Sequence, residues 1–303
     1  MKTVVVGLGV QGQKRVAFAK KDFYASVDPY NSESDFRCLK DVPTNKYDSV
    51  MLCVPDKAKE KIIEYCINMK KNILVEKPLV FTNIGKFNEI EEKANRSNVK
   101  IYTAYNHRFE PHLINVKKYL NSGKLGKIFR CKLYYGNGTA RLVKESSWRD
   151  KGSGVIHDLG SHLLDTLFYW FGNFDFPFSL SFVNNFENNA PDNAIITVKL
   201  KNMFIDFEIS MLSWRNTFLC DIIGEKGSIH VNSLCKWGPS DFIFRKRKLP
   251  SGKPVEYKKT LIKKDPTWSE EYKYFKKLCK SDSRISLDKD KKISKILNEL
   301  VLS

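Results

Sequence analysis

The amino-terminal glycines constrain the fold of this 303-residue chain more than any other feature of its sequence. They form a G-x-G-x-x-G pattern that follows an apolar run at residues 3–6 and precedes a stretch compatible with a helix. Such a pattern allows a tight turn, close backbone approach to a pyrophosphate and close packing of helix on strand. Because a helix N-terminus also favours negative charge, the pattern predicts a dinucleotide-binding loop. The loop residues expected to bind the cofactor are Gly7, Gly9, Val10, Gln11 and Gly12.

An acidic residue closes the second predicted strand. Asp28 follows the apolar residues 23–27 and stands 21 positions after Gly7. A carboxylate there accepts a hydrogen bond from the ribose 2′-hydroxyl and repels a 2′-phosphate, so the sequence predicts NAD, with NADP as the other possible cofactor. The alternative is that residues 28–31 form only a turn, since Asp and Pro are common turn residues.

The spacing of apolar segments predicts two domains. Residues 1–105 alternate strand and helix patterns with short connections, which indicates a doubly wound parallel sheet. Val54 and Pro55 end a buried strand, and we expect them to lie near the cofactor because ligands bind outside the carboxyl ends of such strands. Beyond residue 111, one long helix near 155–171 and several alternating strands predict an α+β domain with a large, mostly antiparallel, open-faced sheet. We place the Rossmann domain at 1–118 and the substrate-binding and oligomerisation domain at 119–303.

Composition limits the classes of partner. The seven cysteines and five histidines show no metal-ligand spacing, so no metal is predicted, and the cysteines are expected to be reduced. No apolar run is long enough for a membrane span and no signal peptide precedes the first strand, so a cytoplasmic protein is expected. The net charge of +18 is spread along the chain, which favours a solvated basic face or an anionic substrate over nucleic acid.

Glu76 and Lys77 directly follow the buried strand predicted at residues 72–75. At the carboxyl end of a parallel strand these side chains would lie near the nicotinamide, and Pro78 biases Lys77 towards an extended backbone. A lysine in that place can hydrogen-bond the reacting hydroxyl oxygen and take part in proton transfer. The alternative is a surface Glu-Lys pair that ends the strand.

A second group of polar residues lies in the long helix predicted at 155–171. Spacings of four and three place Asp158, His162 and Asp165 on one helical face. A carboxylate beside an imidazole orients the ring and suits it to remove a proton from an alcohol near neutral pH. His162 is therefore the candidate general base and Asp158 its orienting partner. The alternative is a helix N-terminal acid and a half-buried structural histidine.

Asn106 and Arg108 lie where the chain passes from the first domain to the second. Their side chains could bind the cofactor amide or substrate oxygens. Arg108 could equally be a structural ion-pair partner at this junction.

These residues together resemble the glucose-fructose oxidoreductase, inositol dehydrogenase and rhizopine-catabolism (Gfo/Idh/MocA) family. The resemblance rests on five motifs in order along the chain: the glycine pattern at 7–12, Val54-Pro55, Glu76-Lys-Pro78, Asn106-His-Arg-Phe109 and the pattern at 154–165. One position departs from it, because Lys59 stands where members often carry a histidine.

The resemblance implies a nicotinamide-dependent oxidoreductase that acts on a secondary alcohol of a sugar, cyclitol or sugar derivative. It implies catalytic roles for Lys77, Asp158 and His162, and a homodimer or homotetramer built through the open sheet. Within this class the alternative is a keto-sugar reductase acting on a nucleotide-linked or phosphorylated sugar in surface polysaccharide synthesis. An alternative of another class is an NAD-binding sensor or scaffold without turnover.

Overall fold

The computed structural model describes residues 1–146, 149–172 and 175–302. The chain forms two compact units. The first contains Met1–Asn106 and Thr267–Lys295, and the second contains His107–Pro266 and Ile296–Ser303. The sequence had suggested a single division near residue 118. The observed division lies earlier in the chain, and helices close to the C-terminus return to the first unit.

The first unit contains a parallel sheet of five strands in the order β2-β1-β3-β4-β5. All neighbouring pairs are parallel, and strands are added first on one side of β1 and then on the other, which is the doubly wound arrangement predicted from the alternating pattern. Strand β1 is buried along its whole length, as its continuous apolar run predicts. The strands are β1 (Thr3–Val6), β2 (Phe23–Val27), β3 (Ser49–Leu52), β4 (Asn72–Glu76) and β5 (Ile101–Ala104).

Within the described part of the chain, five α-helices belong wholly or largely to this unit. The first three follow strands β1, β3 and β4, and the last two come from the C-terminal part of the chain. They are α1 (Val10–Ala19), α2 (Asp56–Asn68), α3 (Gly85–Arg96), α7 (Thr267–Cys279) and α8 (Asp288–Leu302). Ile285 and Leu287, which precede α8, join the apolar core under the parallel sheet. The C-terminal segment is therefore part of this core.

The second unit contains an eight-stranded sheet in the order β13-β12-β11-β10-β6-β9-β8-β7. Every neighbouring pair is antiparallel except β6 and β9, which run parallel. The strands are β6 (Ile128–Gly136), β7 (Phe178–Asn184), β8 (Asn193–Leu200), β9 (Met203–Ser210), β10 (Thr217–Gly224), β11 (Gly227–Asn232), β12 (Ser240–Lys246) and β13 (Val255–Leu261). This large, mostly antiparallel sheet confirms the predicted fold class.

Alternating burial identifies the covered face of this sheet. In β10, Phe218, Cys220 and Ile222 are buried, while Leu219 and Ile223 at intervening odd-numbered positions are exposed. This period of two is expected for a sheet with one packed face and one open face. The helices of this unit are α4 (Pro111–Asn121), α5 (Ala140–Lys144) and α6 (Ser161–Phe171).

The long helix predicted at 155–171 begins irregularly. Residues Ile156–Gly160 form a π-helical turn that continues into α6 at Ser161. Single π turns inside helices are frequent at functional sites, and they shift the face on which the preceding residues lie. The short helix α5 was not predicted.

All seven cysteines are free thiols, and Cys66, Cys131, Cys220 and Cys235 are buried. Among the described residues, no helix has both the length and the apolar character that crossing a membrane requires.

Candidate functional site

The glycine loop connects β1 to α1, and its glycines have different structural roles. Gly7 has φ +90°, and a Cβ atom there would lie 2.3 Å from the Cys53 carbonyl oxygen. A Cβ atom on Gly12 would lie 1.8 Å from the Gly7 carbonyl oxygen. A Cβ atom on Gly9 would meet nothing within 4 Å. Gly7 and Gly12 therefore allow the backbone to pack, whereas Gly9 leaves open space at the start of α1.

This open space lies at the N-terminus of a helix. Gly9 is the N-cap of α1, and within the described chain no side chain caps this end. Val10 is 71% exposed, although it is apolar. Unsatisfied N–H groups and the helix dipole make such an end a binding site for a phosphate or pyrophosphate. The geometry fits the pyrophosphate of a dinucleotide.

Asp28 is bonded to the glycine loop. Its Oδ2 accepts a hydrogen bond from the Leu8 backbone N–H at 2.8 Å, and its Oδ1 accepts from the N–H groups of Tyr30 (2.9 Å) and Asn31 (3.0 Å). Burial opposes ionisation, but these backbone donors outweigh it and hold the pKa of Asp28 below its ordinary value. A carboxylate offers about four acceptor positions, and three backbone N–H groups use three of them. Asp28 can therefore accept one further hydrogen bond, from a ribose hydroxyl.

A buried arginine holds the end of strand β4. The Arg15 Nε donates to the Glu76 carboxylate at 2.6 Å, and its Nη1 donates to Glu271 of α7 at 2.8 Å. The guanidinium also lies 4.3 Å from the centre of the Trp268 ring. Glu76 was predicted to contact the cofactor, and its carboxylate is hydrogen-bonded to the buried guanidinium of Arg15. Lys77 follows it directly and is half-buried.

Glu271, which shares Arg15 with Glu76, has a raised pKa. Burial raises the pKa of Glu271 from its ordinary 4.5 to about 7, against the attraction of Arg15. Proximity to the Glu76 carboxylate raises the pKa of Glu271 further, so the pKa of Glu271 in the folded protein differs from that of a free glutamate.

This difference predicts a pH-dependent stability. Between pH 4.5 and about 7 the folded state binds a proton at Glu271 that the unfolded state has released, so stability falls as pH rises through this window. The effect is at most about 3 kcal/mol at roughly 1.4 kcal/mol per pH unit. Glu271→Gln mimics the protonated acid and should remove this component. Thermal unfolding of both proteins from pH 5 to 8 measures it.

The control for this measurement is Glu270→Gln. Glu270 is the neighbouring exposed acid in α7 and pairs with Lys273 at 2.7 Å. This substitution should leave the pH profile of the wild type unchanged, since exposed pairs contribute little to stability. Parallel pH profiles for the wild type and Glu271→Gln would contradict the expectation.

The remaining cofactor candidates of the first unit lie at strand ends. Val54 follows β3, and Pro55 is the N-cap of α2. The Asn106 side-chain amide donates to the Thr267 hydroxyl at 3.0 Å, at the start of α7. Asn106 thus ties the end of the first segment to the returning helix.

In the second unit, His162 lies in an aromatic cluster. Its half-buried ring stacks on the buried His107 ring, with centroids 4.2 Å apart and planes at 22°. The ring of Tyr135 contacts both histidines edge-on or tilted, at 5.9 and 5.2 Å. Burial, assisted by the negative charge of Asp158, raises the pKa of Tyr135 well above its ordinary value, so its phenol stays protonated.

Asp158 lies in the π-helical turn that precedes α6. Its carboxylate is 3.4 Å from Arg149 Nη2, and both side chains are about one third exposed (35% and 34%). Gly154, just before this turn, packs closely against the protein: a Cβ atom there would lie 2.1 Å from the Pro191 carbonyl oxygen.

Asp165 and Arg108 form a bidentate ion pair. Arg108 Nε and Nη2 each approach a different Asp165 oxygen at 2.9 Å. The Asp165 side chain is 1% exposed, whereas that of Arg108 is 26% exposed. Of the two roles weighed for Arg108, the structure therefore contains the ion pair, and about a quarter of the Arg108 side chain remains exposed.

Comparison with known families matches both parts of the chain. Residues 1–105 match the model described as the oxidoreductase family, NAD-binding Rossmann fold, and residues 113–230 match the GFO/IDH/MocA C-terminal domain. The chain belongs to the Gfo/Idh/MocA family. Its first unit therefore contains an NAD-binding Rossmann fold.

Individual Gfo/Idh/MocA relatives are distant. An uncharacterized oxidoreductase of Schizosaccharomyces pombe is 25% identical over 165 residues, which is 54% of this chain and 41% of the relative. Glucose-6-phosphate 3-dehydrogenase of Bacillus subtilis is 29% identical over 106 residues, 33% of this chain and 30% of the relative. The matched part of the chain thus spans about two fifths or less of these relatives.

In contrast to the sequence matches, the structural similarity of this Gfo/Idh/MocA chain covers nearly the full length of a solved structure. A levoglucosan dehydrogenase in complex with NADH superposes with a TM-score of 0.80 at 17% identity, covering 100% of this chain and 96% of that structure. At this identity the likeness concerns the fold alone.

Sequence reasoning missed three residues that contact His162 or Asp158. His107 lies inside the motif at 106–109, but its ring had no assigned role. Tyr135 was seen only as part of an alternating strand, and Arg149 had no assigned role. The signal for Tyr135 was its position at the end of β6, and no local pattern identified the stacking of the two histidines.

Proposed function

We propose that the protein is an NAD(P)-dependent dehydrogenase acting on a secondary alcohol of a sugar, cyclitol or sugar derivative. The observation that carries this proposal is the open N-terminus of α1 at Gly9, with the ionised carboxylate of Asp28 bonded to the same loop. These features suit a dinucleotide with a free ribose 2′-hydroxyl. Membership of an oxidoreductase family supports the reaction class.

The proposed roles follow from the chemistry of the side chains. His162 accepts the hydroxyl proton as the alcohol becomes a carbonyl, and Asp158 stabilises the resulting imidazolium charge. Lys77 donates a hydrogen bond to the oxygen and stabilises the negative charge that develops on it. When bound, NAD accepts the hydride that leaves the alcohol carbon. One hydride and one proton leave the substrate, so the reaction balances.

A phosphorylated or nucleotide-linked sugar is the more specific substrate class to test. The chain has 52 basic and 34 acidic residues, a surplus that favours anionic ligands. The name of one relative, glucose-6-phosphate 3-dehydrogenase, also points to a sugar phosphate. We propose this class as the second candidate, in the direction of oxidation or of keto-sugar reduction.

The test is a substrate panel read at the absorbance band of the reduced nicotinamide. Purified protein is incubated with NAD or with NADP and, in each case, with inositols, aldoses, sugar acids, sugar phosphates and nucleotide sugars in separate reactions. Reduced cofactor formed with one compound identifies the reaction and the substrate class together. The reverse reaction is tested with NADH and the corresponding keto-sugars. No change in absorbance in either direction would reject turnover and favour an NAD-binding sensor.

Asp28 is expected to set the preference for NAD over NADP. In Asp28→Asn the negative charge is lost, so NADH binding should weaken by about 10-fold, the scale of one hydrogen bond to a charged group. NADPH binding should weaken less or improve, because the repulsion of its 2′-phosphate is relieved. Fluorescence titrations with NADH and NADPH measure the ratio.

Asp35→Asn is the matched control. Asp35 accepts hydrogen bonds from the Ser26 backbone N–H (2.8 Å) and hydroxyl (2.7 Å) in the same loop. Its replacement should change the affinities for both cofactors equally. An unchanged NADH-to-NADPH ratio in Asp28→Asn would reject the assigned role of Asp28.

A further inference from the structure

Lys59 of α2 places a positive charge in the interior of the first unit. The residue is 2% exposed. Its Nζ donates to the carbonyl oxygens of Glu76 at 2.7 Å and Pro78 at 2.6 Å, and it pairs with the Asp56 carboxylate at 2.7 Å. An ammonium has three N–H donors. All three of them therefore have an acceptor within the first unit.

The two carbonyl groups that Lys59 binds stand on either side of Lys77. One belongs to Glu76, the last residue of β4, and the other to Pro78. Hydrogen bonds from a charged donor are about twice as strong as neutral ones. Arg15 holds the same segment at the Glu76 carboxylate. Two buried cations thus fix the backbone from which the Lys77 side chain extends.

The side-chain chemistry of lysine suits this double contact. A neutral histidine offers one N–H donor, so it could serve only one of the two carbonyl oxygens. A flexible four-carbon stem with three rotatable donors reaches both oxygens from one helix position. The clamp is therefore a property of this residue type at position 59.

We propose that Lys59 is a positioning residue that orients Lys77 by clamping the backbone on both sides of it. The proposal rests on the proposed dehydrogenase function, in which Lys77 meets the reacting oxygen. Lys59 itself contacts main-chain oxygens and Asp56, so it acts through another residue. Small displacements of a catalytic group are costly, and a shift of about 1 Å can reduce the rate 100-fold.

The first test is a double-mutant cycle on turnover of the compound that the wild type oxidises. Lys59→Met should lower kcat by about 100-fold, while KM and the dissociation constant for NADH change by less than about threefold. In a Lys77→Met background the same substitution should cost less than about threefold, because the group that it positions is already absent. Equal losses in both backgrounds would overturn the proposal.

Two further variants separate positioning from folding. Lys59→Arg keeps a charge and several N–H donors and should recover at least about tenfold of the turnover that Lys59→Met loses. Lys86→Met removes a lysine that pairs with Glu60, Glu64 and Glu89 on the surface of α2 and α3, and it should leave kcat unchanged. Thermal unfolding shows that each variant is folded at the assay temperature.

The second test does not need turnover. Hydrogen exchange followed by mass spectrometry should show faster exchange in the peptide covering residues 76–81 in Lys59→Met, by about 10-fold or more, as expected for local opening. Peptides from β1 and α3 should exchange as in the wild type. Unchanged exchange at 76–81 would overturn the proposal even where turnover falls. A wild type that oxidises no compound would reject the proposed function, and the exchange measurement would still decide whether Lys59 holds the segment.

Discussion

Replacing Lys77 by methionine is expected to reduce turnover by about 100-fold or more, the usual scale for loss of an acid-base or oxygen-binding group. Methionine keeps the length of the side chain and removes its charge. Because the loss concerns the transition state, kcat should fall far more than the affinity for NADH. Single-turnover kinetics together with NADH titration measure the two effects separately.

His162→Ala is the parallel substitution in the second unit. It should lower turnover on the same scale, because the proposed proton acceptor is lost. Lys273→Met is the matched control for Lys77→Met. Lys273 is exposed and pairs with Glu270, so this substitution should leave turnover unchanged. Wild-type turnover in a protein that carries both Lys77→Met and His162→Ala would reject the catalytic assignment.

The glycine loop gives the second large effect. Gly9→Ala should weaken NADH binding by about 10- to 100-fold, equivalent to the 1–3 kcal/mol that an extra methyl group costs in a close contact. The reason is that the new Cβ atom enters the open space where the pyrophosphate would lie, and it meets no protein atom within 4 Å. The fold should therefore survive, and calorimetric titration with NADH measures the loss.

Gly12→Ala supplies the contrast. Its new Cβ atom would lie 1.8 Å from the Gly7 carbonyl oxygen, so this substitution should destabilise the first unit as well as weaken binding. Thermal unfolding distinguishes the two variants. Wild-type NADH affinity in a folded Gly9→Ala protein would show that the pyrophosphate does not approach this helix end.

Local patterns in the sequence were sufficient to predict much of the fold. The glycine spacing and the apolar run at residues 3–6 predicted β1 and α1. The alternation of apolar and polar residues predicted the strands of the second sheet. These signals are local because each depends on neighbours within one element. The parallel pairing of β6 with β9 was not accessible, since alternation does not encode which strands become neighbours.

The candidate site was less predictable where its partners come from distant parts of the chain. Arg15 stood in a stretch read only as helix-compatible, and its partner Glu271 lies 256 positions later. Lys59 was noticed only as a departure from a family pattern, yet its ammonium binds carbonyl groups of another segment. The π-helical turn at Asp158 also changed the helical face assumed from regular spacing.

The split composition of the first unit has a consequence for synthesis on the ribosome. The parallel sheet is complete once residues up to 104 have emerged, but Arg15 then lacks Glu271, and the core lacks Ile285 and Leu287. Domains usually fold in order as the chain emerges at about 5–20 residues per second. Here the second unit is translated before the first can close, so at this rate Arg15 pairs with Glu76 for roughly 10 to 30 s before its second partner, Glu271, has been synthesised.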